Sequence, residues 1–291
     1  MDVPKVCVVG SVNLDHSYTV DSLPRPGQTV LASAVSTAPG GKGGNQAVAA
    51  ARAGAEVHLV AALGDDPAAD GLRAHLARNG VGLDGLETVP VPSGSAVIVV
   101  DAGAENSIVV AQGANAHLSM ASARVHDVVA AADVVLLQLE IPLDTAVAAA
   151  RVAREAGAVV IVNASPTPAD ESLLGDLAAV TDVVVVNEDE ARRWHWPVPH
   201  LVTTRGARGA SYSGVDRTVD VPSPAVEPVD TTGAGDVFAG VLAAHWTSGS
   251  ERAISRAAAA GALATLVAGA GDCAPTAEAV DDVLARRDDG R

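Results

Sequence analysis

The stretch Val229-Asp230-Thr231-Thr232-Gly233-Ala234-Gly235-Asp236 carries the residue types in this chain best suited to moving a phosphoryl group. Small residues at 233–235 leave the backbone bare, and the run that follows repeats apolar side chains (Val237, Phe238, Val241, Leu242) at helical spacing. A helix start presents N–H groups without intrahelical acceptors and a partial positive charge, which together suit a phosphate. Asp236 falls in the first turn of that helix, beside whatever the phosphate is attached to. Amides that steady a moving charge, next to a carboxylate that takes a hydroxyl proton, form a phosphoryl-transfer centre. The competing reading is a glycine-rich turn whose Asp only complements the helix dipole.

Three other groups of polar residues sit where a parallel sheet gathers its ligands. Val6-Cys7-Val8-Val9 reads as a strand buried on both faces, and it runs into Gly10-Ser11-Val12-Asn13-Leu14-Asp15-His16, so Asn13 and Asp15 lie at a strand's carboxyl end. Pro39-Gly40-Gly41-Lys42-Gly43-Gly44-Asn45-Gln46 leads into an Ala-rich helix over 47–53. It is neither a Walker A loop, since Lys42 precedes Gly43 rather than Ser or Thr, nor a dinucleotide fingerprint. It offers close backbone approach at a helix start, with Lys42 and Asn45 as polar groups suited to ligand hydroxyls. Glu140 and Asn187 also end strands, and Asn187-Glu188-Asp189-Glu190 reads either as a helix cap or as carboxylate support for a hydrated Mg²⁺.

The elements that must position these residues follow from periodicity. Apolar runs at 56–62, 132–138, 158–163 and 182–186 alternate with helical patterns at 67–79 and 143–156, which predicts an α/β fold with a mainly parallel sheet and helices on both faces. Two pieces depart from this texture. Residues 12–38, broken by Pro24-Arg25-Pro26-Gly27, and residues 91–111, with a turn at 101–106, read as hairpins and predict a small extra sheet that acts as a lid. Leu201 to Gly209 is a strand and Gly-spaced turn, hairpin strands run to Val221, and helices at about 251–268 and 276–287 close the chain. No repeat or linker marks a domain cut in the 291 residues.

Composition narrows the function classes. Apolar residues make up 48%, enough for a large core. A formal charge of −16, with Lys5 and Lys42 the only lysines, argues against a nucleic-acid partner. Cys7 and Cys273 stand far apart without metal-ligand spacing, as expected of a reduced setting. The N-terminus runs straight into a strand and no apolar run reaches membrane-spanning length, so the expectation is a soluble cytoplasmic protein.

Taken in order, Gly10 to His16, Gly40 to Ala47, Gln112-Gly113-Ala114-Asn115, Gln138-Leu139-Glu140 and Asp230 to Asp236 resemble the PfkB carbohydrate kinase family, most nearly its ribokinase branch, over nearly the whole chain. The resemblance implies a ribokinase-like three-layer fold over 1–291, with the lid at about 12–38 and 91–111. It implies an ATP-dependent kinase transferring the γ-phosphate to the 5-hydroxyl of D-ribose. Other acceptors of the family are another pentose, a ketose, a sugar acid or a nucleoside; a non-catalytic sugar-binding protein is the alternative from another class. Tyr18 is the sole Phe, Trp or Tyr in the lid segments, which favours a bare sugar over a nucleoside.

By the same resemblance Asp236 is the base and Gly233, Ala234 and Gly235 form the anion hole. Asn13, Asp15, Gly41, Lys42, Gly43, Gly44, Asn45 and Glu140 contact the sugar. Asn187, Thr204, Arg205, Gly206, Ala207, Arg208, Gly209 and Gly235 contact ATP, with Glu190 in the Mg²⁺ environment. Asp230, Thr232, Ala264, Val267, Gly269 and Cys273 surround a K⁺ ion, and two subunits pair through the lid. Two departures are visible: Cys273 stands where Ser is common, and only sixteen residues separate Asn187 from Thr204, which predicts a missing crossover helix and an irregular sheet edge beside the adenine pocket.

Overall fold

The structure, a computed structural model, describes residues 3–103, 105–168 and 170–289. Ala104, within the turn expected at 101–106, and Met1 and Asp2 lie outside the described residues. Strands β1 (Lys5–Val9), β2 (Asn13–Thr19) and β3 (Ala34–Gly40) precede helix α1 (Lys42–Arg52). Then come β4 (Glu56–Leu63), α2 (Pro67–Arg78), β5 (Val81–Thr88), β6 (Gly94–Val100), β7 (Asn106–Ala111) and α3 (Ala123–Ala130). The middle of the chain runs β8 (Val134–Leu137), α4 (Leu143–Glu155), β9 (Val159–Asn163), α5 (Leu174–Ala179), β10 (Val183–Asn187) and the single-turn α6 (Glu188–Ala191). Strands β11 (His200–Thr204), β12 (Ala210–Ser213) and β13 (Thr218–Val221) lead to α7 (Ala234–His245), α8 (Ser250–Ala264) and α9 (Ala277–Asp289).

Nine strands form one sheet in the order β13-β12-β11-β10-β9-β8-β1-β4-β5. Pairing is parallel from β5 to β11, and the edge hairpin β12–β13 is antiparallel. Continuous apolar strands are what two covered faces require. In β1, Val6 and Val8 join the core under α1, α2, α7 and α8, while Cys7 and Val9 join the core under α3, α4 and α5. Strand β1 lies between β8 and β4, so the order reverses beside it and a crevice opens at its carboxyl end.

The four-stranded second sheet has the order β3-β2-β6-β7. Each expected hairpin is there, β2 with β3 and β6 with β7, and the two are joined by a parallel pairing of β2 with β6. Asn13 and Asp15 belong to β2, so sugar-facing candidates sit on the first strand of the lid itself.

Three expectations need correction. The helix expected over 47–53 begins at Lys42, with Gly43 and Gly44 inside its first turn rather than in a preceding loop. Gly41 caps it at φ 85°, and a Cβ at Gly43 would lie 2.7 Å from the backbone of Gly10 and Ser11. The glycines let α1 start against the β1–β2 turn, which apolar periodicity does not register. The edge beyond Asn187 is regular: β10 and β11 pair in parallel over five residues, Val183 with His200 through Asn187 with Thr204. Residues 188–199 supply the minimum length for the crossover, with α6 as its remnant helix. Trp194 and Trp196 pack edge to face at 5.2 Å against the second core and brace this connection. The penultimate helix ends at Ala264 rather than near 268, because residues 265–274 turn back under α7. Strand β5 and helices α3 and α5 were not anticipated; each is short or Gly-interrupted.

Candidate active site

Two helix N-termini meet in the crevice. Helix α1 brings Lys42, Asn45 and Gln46, and α7 brings Gly233 to Asp236. The helices approach closely because Gly240 of α7 faces Gln46 and Ala49 of α1; a Cβ at Gly240 would lie 2.4 Å from the Gln46 carbonyl oxygen. Asp236 is only 7% exposed. Its Oδ2 accepts from Asn45 Nδ2 and its Oδ1 from Gln46 Nε2, each at 3.0 Å, and Lys42 Nζ stands 4.0 Å from Oδ1. The Asp236 charge raises the Lys42 ammonium above its ordinary pKa against the opposing effect of burial, with Glu140 and Glu190 adding to it. Glu190 therefore acts on the site from across the crevice.

The lid side is equally polar. Glu140 Oε2 accepts from the Ser11 hydroxyl and from the Lys42 N–H at 3.2 Å. Asn13 Oδ1 accepts from Asn115 Nδ2 at 2.8 Å, and Asn115 also bonds the Val12 backbone, which fixes the start of β2. Asp15 lies against Gly40, where a Cβ would overlap its carboxylate, and its buried Oδ1 has no hydrogen-bond partner. Burial first, then the charges of Glu140 and Asp236, push its carboxyl from 3.8 up to about 7.

Below the α7 N-terminus, Gly233 adopts φ 80°, and a Cβ there would meet Ala270 at 2.8 Å and Cys273 Sγ at 3.1 Å. Asp230 Oδ1 accepts from Thr232 N and Oδ2 from Gly269 N, both at 2.8 Å. Burial pulls the Asp230 carboxyl upward, yet these hydrogen bonds outweigh it and hold the group below the usual range. The 265–274 turn is tied down by Arg52 at the end of α1, whose Nη1 donates to the carbonyls of Asp272 and Ala274 while Nε and Nη2 donate to Asn79. Cys273 packs here as a neutral thiol, pushed up to about 11 chiefly by burial, with the Asp236 charge adding to it; it donates to Ala270 O at 3.3 Å. Carboxylate and carbonyl oxygens around Asp230 make a donor set that fits a hard monovalent cation. Ala264 is buried at the end of α8, and Val267 is half exposed.

On the other side of α7 a cleft of about 440 Å³ opens. Thr204, Gly206, Ala207 and Gly209 form one wall, Ser223 to Pro228 and Phe238 another, and Ala234 and Gly235 its floor towards Asp236. Of the expected nucleotide contacts, Arg205 and Arg208 do not line it: they pair with Asp220 and Glu188. Asn187 caps α6, accepting from Asp189 N and Glu190 N, while Glu190 accepts from Asn187 N. The capping reading thus describes their local geometry. Among the described residues, no cluster of three or more His, Cys, Asp or Glu holds a metal by itself.

The sequence reading assigned no role to Ser11, Gln46, Gln138 or Asn163, or to the apolar cleft wall at 223–228. The available signal was a polar residue closing an apolar strand, as Gln138 follows Val134–Leu137 and Asn163 ends Val159–Ile161-Val162.

A buried carboxylate at a helix N-terminus lies between a polar crevice and an apolar cleft, and comparison assigns the family. Residues 3–277 match the family described as pfkB family carbohydrate kinase. This chain belongs to the PfkB carbohydrate kinases. The kinase is 37% identical to a Bacillus subtilis ribokinase over 96% of its own length and 99% of the relative's. It is 33% identical to a Salmonella typhi deoxyribokinase over 83% and 85% of the two chains. It superposes on the structure of Arabidopsis thaliana ribokinase complexed with ribose and ATP at a TM-score of 0.88, with 29% identity and coverage of 97% and 99%. The kinase is accordingly a phosphotransferase.

The Asp15 environment sets a pH dependence. A carboxyl whose folded pKa lies above its unfolded value favours folding when protonated, so this contribution is complete below pH 3.8 and is lost as pH rises through about 7. Thermal denaturation should show wild-type stability falling across that window relative to Asp15→Asn. Parallel pH curves for the two proteins would refute the assignment.

Proposed function

We propose that this kinase transfers the γ-phosphoryl group of ATP to the 5-hydroxyl of D-ribose. The observation that carries the reading is the placement of Asp236, buried between the polar crevice under the lid and the apolar cleft beside Thr204 to Gly209. The Arabidopsis ribokinase, whose structure holds ribose and ATP, supports the choice of both substrates.

In this mechanism the sugar lies against Asn13, Asp15, Gly41, Lys42, Gly43, Gly44, Asn45 and Glu140, under the lid. Asp236 accepts the proton of the attacking hydroxyl as its oxygen bonds the γ-phosphorus and the bond to the β-phosphate oxygen breaks, releasing ADP. Amides of Gly233, Ala234 and Gly235 hold the equatorial oxygens in transit, and Lys42 offsets their charge. The adenine occupies the apolar cleft, with Thr204, Gly206, Ala207 and Gly209 as its wall and Arg205, Arg208 and Asn187 bracing the rim. Glu190 would face the hydrated Mg²⁺ carried with ATP, which when bound would supply charge neutralisation. Asp230, with backbone oxygens near Thr232, Ala264, Val267, Gly269 and Cys273, would hold K⁺, which when bound would supply positive charge to the Gly233 to Gly235 segment.

The whole chain, 1–291, works as one domain with its lid, in the cytoplasm, and without a nucleic-acid partner. Among the described residues no helix is long and apolar enough to cross a membrane. Val35, Val97 and Val109 are exposed and share the lid face turned away from Asp15, an apolar surface that supports a homodimer paired through it. A second reading, 2-deoxyribose as acceptor, draws support from the Salmonella typhi relative.

ATP consumption with Mg²⁺ and K⁺ should be strongest with ribose in a panel of ribose, deoxyribose, arabinose, fructose, ketodeoxygluconate, adenosine and pseudouridine. Preference for deoxyribose would select the second reading, and activity confined to a non-pentose would refute both. Asp236→Asn should bind ribose and ATP as the wild type does and lose about 10²- to 10⁴-fold in kcat; unchanged turnover would remove Asp236 as the base. Exchange of Na⁺ for K⁺ should raise kcat, whereas equal rates in the two salts would remove the cation from the scheme.

A further inference from the structure

Asp236, the proposed base on which this inference rests, is a carboxylate buried where water is scarce and the carboxylates of Asp15 and Glu140 lie near. Its surroundings contain a chain of buried amides. Gln46 is 0% exposed and Gln138 likewise, while Asn163 and Asp236 are nearly so. Gln46 Nε2 donates to Asp236 Oδ1 at 3.0 Å and to Asn163 Oδ1 at 3.1 Å. Gln138 Nε2 donates to Gln46 Oε1 at 2.8 Å, and Asn163 Nδ2 donates to the Val185 carbonyl at 3.3 Å.

The orientation of every amide follows from its fixed ends. The Val185 carbonyl accepts only, so Asn163 presents its nitrogen there and its oxygen to Gln46. Gln46 must then offer both of its N–H groups, one to Asn163 and one to Asp236, and its oxygen to Gln138. Gln46 therefore has no second rotamer that satisfies the network, and Asp236 meets a donor locked in place. Room for Gln138 comes from Gly10, where a Cβ would lie 1.7 Å from Gln138 Oε1. Protonating Asp236 forfeits the charge-assisted strength of the Gln46 and Asn45 bonds. Lys42 acts in the same direction, whereas Asp15, Glu140 and the Cys273 thiol face Asp236 from the lid side and from the 265–274 turn.

We propose that Gln46, held by Gln138 and Asn163, is a positioning residue that keeps Asp236 an ionised proton acceptor aimed at the attacking hydroxyl. A weak but ionised acceptor suits a loose phosphoryl transition state, in which the hydroxyl keeps its proton until late. Unlike Lys42 and Asn45, Gln46 touches the base from the core side and works through it alone.

The test is the pH dependence of kcat at saturating sugar and ATP, which reports groups in the complex. Gln46→Met removes the donor at nearly constant volume and should move the acid limb up by about one pH unit. It should lower kcat, with KM for sugar and ATP within about threefold of wild type. Gln138→Leu never touches Asp236; by freeing Gln46 it should move the same limb in the same direction by less, and it serves if Gln46→Met does not fold. An acid limb unmoved in the folded variants, with thermal stability lowered, would make the network structural and overturn the inference. Wild-type turnover in Asp236→Asn would overturn the base reading itself and the inference with it, whereas loss of turnover there with an unmoved limb in the amide variants overturns the inference alone.

Discussion

The close packing of α1 on α7 is the constraint on which the rest of the site depends. Glycine at 240 and alanines at 49 and 50 allow the two helices to approach until one backbone touches the other. That contact brings two N-termini, from segments nearly two hundred residues apart, to the same crevice. Helix dipoles and first-turn amides then point at one place, and Asp236 bonds directly to Asn45 and Gln46. A larger residue at 240 would part the helices and dismantle the proposed sugar contacts, base and anion loop together.

The second constraint is electrostatic. A chain of net charge −16 must hold polyanions, and it does so with very few cations at the site. Lys42 faces Asp236 and Glu140, and the N-termini of α1 and α7 add positive potential. The crevice has a consequence at Asp15, whose proton is held to about 7 first by burial and then by the neighbouring charges of Glu140 and Asp236. Arginines near the nucleotide cleft are spent on Asp220 and Glu188 and stiffen its rim instead of entering it.

The 265–274 turn links these two constraints. Arg52 fastens it from the far end of α1, Asp230 fastens it through Gly269, and it packs Ala270 and Cys273 directly beneath Gly233. The conformation of the anion loop is thus set from below by a segment whose contacts are mostly backbone. Gly233 at φ 80° has no space for a side chain in that arrangement.

The sequence alone determined the α/β alternation, the two hairpin insertions and the position of Glu140 just past a strand end, because these rest on local periodicity and on turn residues; Asn13 and Asp15, expected at the end of the first strand, stand within β2 instead. It also determined that Asp236 opens a helix after a glycine turn. Tertiary structure decided the rest. Only packing shows that α1 begins at Lys42, since glycine costs helix propensity and here is required by contact with Gly10 and Ser11. Only pairing shows that the short 188–199 crossover leaves a regular edge, since strand register is a long-range property. Gln46, Gln138 and Asn163 come from three separate elements, and a hydrogen bond between residues about a hundred positions apart leaves no mark on the spacing of either. The sequence named the groups that face the substrates; the fold supplied those that hold them from behind.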